Sequence, residues 1–449
     1  MPDHYGATMP SLWFASFLIF AALTAGQFAL VLLNLWEGRR FAMSRLRRPA
    51  KDAPPRRAAI FVPCKGLEMG LEENLRPLFE QDYPNYSLTL VVESADDPAC
   101  GPIRRLIARR PNVAATLFVA GQAHQGGQKV HNLREATACL PNDVEILAFV
   151  DSDACPRTNW LSQIVERLQR AEVGAVTGYR WFVPERDTLS NLLSYSINSA
   201  VAAGVGPGGH HLVWGGSWAI RRDTFDALRM RDAWRGTLSD DLVATRVLHQ
   251  AKLRIEFQPA CMLASPLDNN WRQTAAFLRR QYVIARFYTP QWWLLAFVAA
   301  SLPMLTFWGG LALLAAGWAS GDARAWLPAV ICLAFYASTV LRGLLRCELA
   351  RLYLPEHQAR LARAFRFDLW TGPLVLLANW LVMFSSLFGN RLKWRDIVYR
   401  IQRGGQVRIV RRHDASVISP SEPASVHCPR RPLEGRSRRM TAPTSSSAL

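Results

Sequence analysis

The chain carries no Cys-x-x-Cys pair, and its eight cysteines stand at no His/Cys ligand spacing. A structural zinc site is therefore disfavoured, and scattered single cysteines point to a reducing compartment. Acidic residues are scarce: 35 Asp and Glu face 53 Lys and Arg, leaving a formal net charge of +18. A basic balance of that size suits nucleic acid or the cytoplasmic flank of a membrane protein. The basic-aromatic pattern of nucleic-acid binding is missing. Instead the cations crowd beside apolar segments, as in Arg39, Arg40, Arg45, Arg47, Arg48, Lys51, Arg56 and Arg57. No nucleic-acid partner is expected.

Charge is absent altogether from Ser11 to Trp36, long enough to cross a bilayer. A basic leader and an obvious small-residue cleavage site are both lacking, so the segment reads as a retained anchor rather than a signal peptide. Its cations follow it, which places the N-terminus outside and the next segment in the cytoplasm. The anchor spans 1–38.

After an Ala-Pro-Pro-Arg-Arg linker at 53–57, strands and helices alternate. Apolar runs at Ala58–Val62, Tyr86–Val92, Ala114–Val119 and Ile146–Val150 read as strands. Helices are expected over Leu67–Glu80, from about Pro102 to Arg110, over Val130–Leu140 and over Trp160–Arg170. Further strands are expected at Ala175–Phe182, Ser217–Ile220 and Leu253–Phe257. Thr224–Leu228 looks helical, and another helix opens at Asp240 with Ser239 as its N-cap. Gly204–Gly216 reads as a flexible, glycine-rich stretch. The alternation implies an α/β domain over 55–268 with right-handed crossovers and a mostly parallel sheet.

Beyond Asp268 the pattern changes. Trp271–Tyr288 interleaves Arg272, Arg279, Arg280 and Arg286 with large apolar residues, the signature of an interfacial helix (269–290). Apolar segments follow at Trp292–Trp318, Trp326 to about Leu341, and Trp370–Phe388, within a membrane region of 291–390. Residues 391–412 are basic again and expected in the cytoplasm, and 413–449 has a disorder-prone composition. Three crossings would put the basic segment outside, against the positive-inside rule. Either one of the three segments is re-entrant or interfacial, or the rule fails here; two crossings and a last segment that does not fully span are the favoured expectation.

The chemistry centres on Ile146-Leu147-Ala148-Phe149-Val150-Asp151-Ser152-Asp153, five apolar residues ending in two carboxylates. Open parallel sheets bind ligands at the carboxyl ends of their strands. In an extended chain Asp151 and Asp153 share one orientation, and two hard oxygen ligands suit Mg²⁺ or Mn²⁺ shared with substrate phosphates. Acidic sites recur in order: Glu93/Asp96/Asp97, Asp151/Asp153 and Asp240/Asp241, with Lys129 between the first two. Lys129 stands at a helix start, where a cation is disfavoured unless an anion lies nearby. That order meets the needs of inverting transfer from a nucleotide sugar. One acidic site takes the nucleoside, one the metal on the diphosphate, and a third carboxylate the proton of the attacking hydroxyl.

On these residues the sequence resembles the membrane-embedded family 2 glycosyltransferases of GT-A fold, and within them the ceramide glucosyltransferase-like branch. The resemblance runs from about Phe61 to Tyr288. It is carried by Asp96-Asp97-Pro98-Ala99, Lys129-Val130-His131-Asn132-Leu133, Asp151-Ser152-Asp153, Gly216-Ser217-Trp218-Ala219-Ile220-Arg221-Arg222 and Ser239-Asp240-Asp241-Leu242. It implies that Glu93 and Asp96 line the nucleoside end and that Lys129 approaches the nucleotide. Asp151 and Asp153 would hold nucleotide and metal, and Asp241 would be the general base. Gly216, Asp240 and Tyr282 would lie on the acceptor side. The family usually carries Gln or Arg, two residues, then Arg-Trp on the interfacial helix. Here Leu278, Arg279, Arg280, Gln281 and Tyr282 occupy that register, so Arg279 or Arg280 would supply the charge that Gln281 does not. The expected donor is a nucleotide sugar of the UDP type and the acceptor a lipid. A processive polysaccharide synthase of the same fold and an inactive membrane scaffold are the alternatives.

Overall fold

The computed structural model describes residues 9–46, 56–68 and 70–412. The tail 413–449, the start of the anchor and most of the 53–57 linker lie outside the described residues.

A long helix, α1 (Met9–Leu46), precedes a mixed sheet. Its strands are β1 (Ala58–Pro63), β2 (Tyr86–Val92), β3 (Ala114–Val119), β4 (Ile146–Val150), β5 (Val173–Pro184), β6 (Ser217–Arg221) and β7 (Arg254–Leu267). Their order is β3-β2-β1-β4-β6-β5-β7. β1 pairs in parallel with β2 and β4, β2 with β3, and β5 with β7, whereas β6 runs antiparallel to both neighbours. Helices α2 (Leu71–Leu75), α3 (Cys100–Arg109), α4 (Gln128–Ala138), α5 (Trp160–Leu168) and α6 (Leu189–Gly204) connect the first strands. Next come α7 (Arg222–Ala227), α8 (Met230–Ala233) and α9 (Asp240–Gln250). This is the expected mixed α/β architecture.

Every residue of β4 is buried, because both faces of the sheet are covered. One face packs Ile60, Leu90 and Val150 against Leu75, Ile103 and Trp160. The other stacks Phe149 on Trp218 with ring centroids 4.4 Å apart and packs Leu133, Phe225 and Trp234 around them. Burial on both faces makes these strands continuous apolar runs rather than alternating ones.

Local differences from the sequence expectation have local causes. The helix expected over Leu67–Glu80 begins only at Leu71, after Gly66 and Gly70 at φ 67° each, and passes into a 3₁₀ turn at Arg76–Phe79. Pro77 has no N–H to continue an α-helical ladder. β7 runs well past Phe257, because its pairing with β5 resumes after an irregularity: Thr177 faces Phe257 and Tyr179 faces Met262. The extra backbone passes over Gly178, where a Cβ would stand 2.2 Å from the Cys261 carbonyl oxygen. α6 answers to no expected element; it is capped by Thr188 and largely buried.

After the sheet comes α10 (Trp271–Tyr288), opened by a capping box in which Asn270 and Gln273 bond each other's backbone N–H. α11 (Pro290–Ser320), α12 (Trp326–Tyr353), α13 (Gln358–Trp370) and α14 (Gly372–Ser385) follow. Among the described residues three helical stretches are long and apolar enough to cross a membrane: Phe14–Leu46, Pro290–Ser320 and Ala323–Tyr353. Residues Pro355–Trp370 and Gly372–Ser385 pass the same test only as a pair, bent by 87°. The basic segment is folded: β8 (Arg391–Trp394), β9 (Ile397–Ile401) and β10 (Val407–Arg412) form an antiparallel sheet. That sheet lies against the α/β domain, with Val407 N–H bonded to Gly236 O at 2.8 Å.

Candidate active site

The carboxyl ends of β1, β2 and β4 share one edge of the sheet, which brings Lys65, Glu93 and Asp151 to that edge. The reversed β6 starts where these strands end, so Gly215 and Gly216 join them, with Asp151 N–H directed at Gly216 O at 3.4 Å. The glycine loop before α4 completes the convergence. Gly127 N–H bonds Thr237 O at 2.7 Å, and a Cβ on Gly126 would stand 3.0 Å from that same oxygen. This close approach sets the first turns of α4 and α9 side by side.

Lys129 Nζ therefore lies 2.7 Å from Asp151 Oδ1 and 3.1 Å from Asp240 Oδ1, and donates to Gly215 O at 3.2 Å. Asp241 sits one residue on. Its Oδ2 accepts from Gly215 N–H at 3.0 Å and its Oδ1 from Leu242 N–H at 2.8 Å; the Ser239 hydroxyl reaches Oδ1 as well. Asp240 is 1% exposed, and its Oδ2 is buried without a hydrogen-bond partner. Burial, offset in part by Lys129, pushes the Asp240 carboxyl up to about 7. Burial also raises Asp151, against the pull of Lys129 and with the repulsion of Asp153. For Lys129 burial works against the charge, but Asp151, Asp240 and Asp241 outweigh it and raise its pKa.

Asp151 and Asp153 do not share one strand face. The strand ends at Val150 and residues 152–153 turn, so Asp153 leaves the strand; its Oδ2 lies 3.7 Å from Arg180, and its charge still acts on Asp151. Arg180 lies over the rings of Phe182, Trp214 and Phe277 at 4.9, 5.6 and 5.3 Å. Arg280 joins this corner from α10, over Phe277 at 5.4 Å and Trp394 at 5.2 Å. Burial and the neighbouring Arg180 lower the Arg280 guanidinium to about 10. Arg279 turns away and donates to Phe388 O at 2.6 Å. Gln281 is exposed, and the Tyr282 hydroxyl bonds the Asn379 side chain on α14. A Cβ on Gly216 would overlap the Trp214 ring at 2.3 Å.

At the other end, Glu93 is held by Lys65 at 2.5 Å and by Arg412 at 3.2 Å. Asp96 is exposed on the following loop, whereas Asp97 is buried and accepts from the N–H groups of Gly66 and Ala99 at 2.8 and 2.9 Å. Asp97 thus ties the β1 and β2 loops together. Sequence reasoning passed over Lys65, Arg180, Arg395 and Arg412. Only Lys65, three residues past an expected strand end, carried a local signal.

The donor chemistry of Asp151 and Asp153 fits a hard divalent cation, and the orphaned oxygen of Asp240, which shares Lys129 with Asp151, marks a cluster short of positive charge. Among the described residues no group of three or more His, Cys, Asp or Glu stands at metal spacing. A cation here would complete its shell with substrate phosphate and water, as Mg²⁺ commonly does.

The sequence model of Glycosyl transferase family 21 matches residues 17–407, and the chain belongs to that family. Its curated relatives are of the branch that the sequence resembles. A ceramide glucosyltransferase of Komagataella phaffii is 30% identical over 132 residues, 28% of this chain and 25% of the relative. One of Gibberella zeae is 26% identical over 151 residues, 31% of this chain and 28% of its own. The chain thus matches about a quarter of the length of these relatives. The structure of mannosyltransferase PcManGT from Pyrobaculum calidifontis in complex with GDP-Man and Mn²⁺ is 25% identical over 79% of this chain and 99% of its own, with a TM-score of 0.45.

Proposed function

We propose that this protein transfers a sugar, with inversion, from a nucleotide sugar of the UDP type to the hydroxyl of a lipid at the membrane surface. The observation that carries the reading is the cluster of Asp151, Asp240 and Asp241 around the single cation Lys129 at the carboxyl edge of the sheet. Asp241 is the general base. Gly215 N–H, Leu242 N–H and the Ser239 hydroxyl fix its carboxylate and leave one of its roughly four acceptor positions free. In a single displacement the acceptor oxygen bonds to the anomeric carbon, its proton passes to Asp241, and the bond to the nucleoside diphosphate breaks. Mg²⁺ or Mn²⁺ on Asp151 and Asp153 would offset charge on the departing diphosphate. Lys129, held in place by Asp151 and Asp240, supplies a fixed cation on the same side. Glu93 and Asp96 face the nucleoside, and Arg280 rather than Gln281 brings the α10 charge toward Asp153.

The acceptor enters beside α10, past Phe277 and Tyr282, whose bond to Asn379 joins the site to the membrane bundle. α11 and α12 cross the bilayer, while α14, with 14 residues, covers only about 21 Å of a roughly 30 Å core. Two crossings keep β8–β10 on the side of the α/β domain, which the flanking cations assign to the cytoplasm, at the plasma or inner membrane if the cell is bacterial.

The test is nucleotide release by the full chain in lipid-containing micelles, from a panel of UDP- and GDP-sugars with Mn²⁺ or Mg²⁺, with and without lipid extract. Metal-dependent release that rises with lipid and vanishes in Asp241→Asn is expected. Release unchanged in that variant, or absent with every donor, would favour a scaffold.

A further inference from the structure

The tip of the β8–β9 hairpin is wedged into the candidate site although it lies more than 100 residues beyond the sheet that builds that site. β8 and β9 pair up to Trp394 opposite Ile397, so Arg395 and Asp396 form the turn. The side chains of Trp394, Arg395 and Asp396 reach three different parts of the site. Trp394 lies against Arg280, whose guanidinium is 5.2 Å from the ring. Arg395 pairs with Glu68, and Glu68 in turn accepts from the hydroxyl of Ser152 at 2.6 Å, between Asp151 and Asp153. Asp396 meets Lys65 at 3.3 Å, the same lysine that holds Glu93. One tip thus contacts the α10 corner through Arg280 and the nucleoside end through Lys65, and is linked to the segment of the two aspartates by way of Glu68 and Ser152.

The middle residue also sits in an unusual conformation. Arg395 has φ 55°, in the left-handed region that Gly and Asn tolerate and arginine rarely adopts. Strain of that kind persists only where the surroundings enforce it, and it gathers at ligand clamps. A two-residue hairpin asks for Gly or Asn at such a position. An arginine there, with its side chain 39% exposed and its partner Glu68 at 13%, points to a use for the guanidinium beyond the turn.

We infer that Arg395 is a donor-binding residue: its guanidinium leaves Glu68 for the diphosphate of the nucleotide sugar, with Trp394 and Asp396 fixing the tip on either side. The inference rests on the proposed function, because the anion is that reading's donor. Guanidinium matches phosphate oxygens in a fork that lysine does not reproduce. Glu68 acts as the resident anion that the diphosphate displaces.

The test is equilibrium binding to the full chain in micelles, with UDP and GDP as diphosphate probes and uridine and guanosine as their phosphate-free controls. Arg395→Gly and Arg395→Asn both suit the turn's backbone, so neither should cost folding. Each is expected to weaken binding of the preferred diphosphate by roughly tenfold or more, the worth of one charge-assisted hydrogen bond, with the nucleoside unchanged. Arg395→Lys should fall in between. Glu68→Gln removes the competing charge and should tighten the diphosphate. Diphosphate affinity within about twofold of the parent in both neutral variants, against that tenfold expectation, overturns the role of Arg395 and leaves the proposed function standing. Equal loss of diphosphate and nucleoside overturns it too, because the variants would then have damaged the pocket at large. A parent chain that binds neither diphosphate overturns the proposed function, and this inference with it.

Discussion

Arg346 and Asp368 meet where α12 packs on α13. Nε lies 2.8 Å from Oδ2 and Nη2 2.9 Å from Oδ1, with side-chain exposures of 8% and 2%. One cation meets one anion, in the fork geometry that satisfies both. The cluster around Lys129 is more open, with side-chain exposures of 16% for Lys129, 29% for Asp151 and 2% for Asp240, and it is not closed. One ammonium serves Asp151 and Asp240 and lies close enough to Asp241 to feel its charge, and an Asp240 oxygen has no partner. A buried charge persists only if it is paired and hydrogen-bonded. The membrane bundle meets that condition internally, whereas the sheet edge leaves one Asp240 oxygen without a partner. The first is architecture, the second the candidate site.

The largest effect should come from removing the proposed base. Asp241→Asn keeps the shape and the acceptor oxygen but gives up the proton acceptor. Turnover should fall by about 10² to 10⁴, the usual contribution of a positioned general base, with UDP affinity little changed. A variant that keeps parental turnover in the nucleotide-release assay would erase the distinction between the two clusters. In the bundle the same logic acts on stability. Arg346→Met strands Asp368 and should cost about 3–5 kcal/mol, whereas Arg346→Met with Asp368→Leu should come back near the parent. Detergent melts of the single and double variants decide it. Replacing both Lys129 and Asp240 by apolar residues, in contrast, should restore no activity.

Titration separates the clusters again. With a folded pKa of about 7 against 3.8, the Asp240 carboxyl binds its proton more tightly in the fold than in the unfolded chain. That contribution is complete below about pH 4 and is lost as pH rises through about 7, a span on the order of a few kcal/mol. Asp240→Asn should therefore raise the melting temperature at pH 8 more than at pH 5. An equal shift at both pH values would mean that Asp240 is charged throughout.

What was legible in the sequence follows from how local the cause is. β4 could be read because burial on both faces makes five consecutive residues apolar, and α9 because Ser239 caps it, accepting from Leu242 N–H at 3.3 Å. The meeting of Lys129 with Asp151 and Asp240 was foreshadowed only by the order of the charges, since the loop crossing that joins α4 to α9 has no periodic signature. Arg180, Arg395 and Arg412 were missed because cations in a chain this basic carry little information until the fold brings them to Asp153, Glu68 and Glu93. The basic run 391–412 read only as a basic cytoplasmic segment, yet Leu392, Ile397, Tyr399 and Ile401 are buried in its sheet. Those apolar positions alternate in a segment whose charge drew the attention. The bend between α13 and α14 was visible only indirectly, through the sidedness of the charges that follow it.

The smallest changes compare two glycines, one beside each cluster. A Cβ on Gly343 would stand 3.2 Å from the Leu369 backbone Cα, so α12 and α13 would have to part. Gly343→Ala should cost about 1–3 kcal/mol, as overpacking does, and leave turnover per folded molecule alone. A Cβ on Gly215 would stand 2.8 Å from Lys129 Nζ and 3.1 Å from the Oδ2 atoms of Asp240 and Asp241. Those are side-chain ends, free to move a few tenths of an ångström, and the backbone of Gly215 is not left-handed. Gly215→Ala should thus melt within a few degrees of the parent, since Gly-to-Ala at a compatible position gains about 0.4–1 kcal/mol from the unfolded chain. Displacing Lys129 from Asp151, and Asp241 from the Gly215 N–H, should nonetheless lower turnover by roughly tenfold, because catalysis depends on sub-ångström placement. Melting and turnover measured on both alanine variants would show opposite patterns. If Gly215→Ala lost stability and kept its activity per folded molecule, the Lys129 cluster would belong with the closed pair in the bundle.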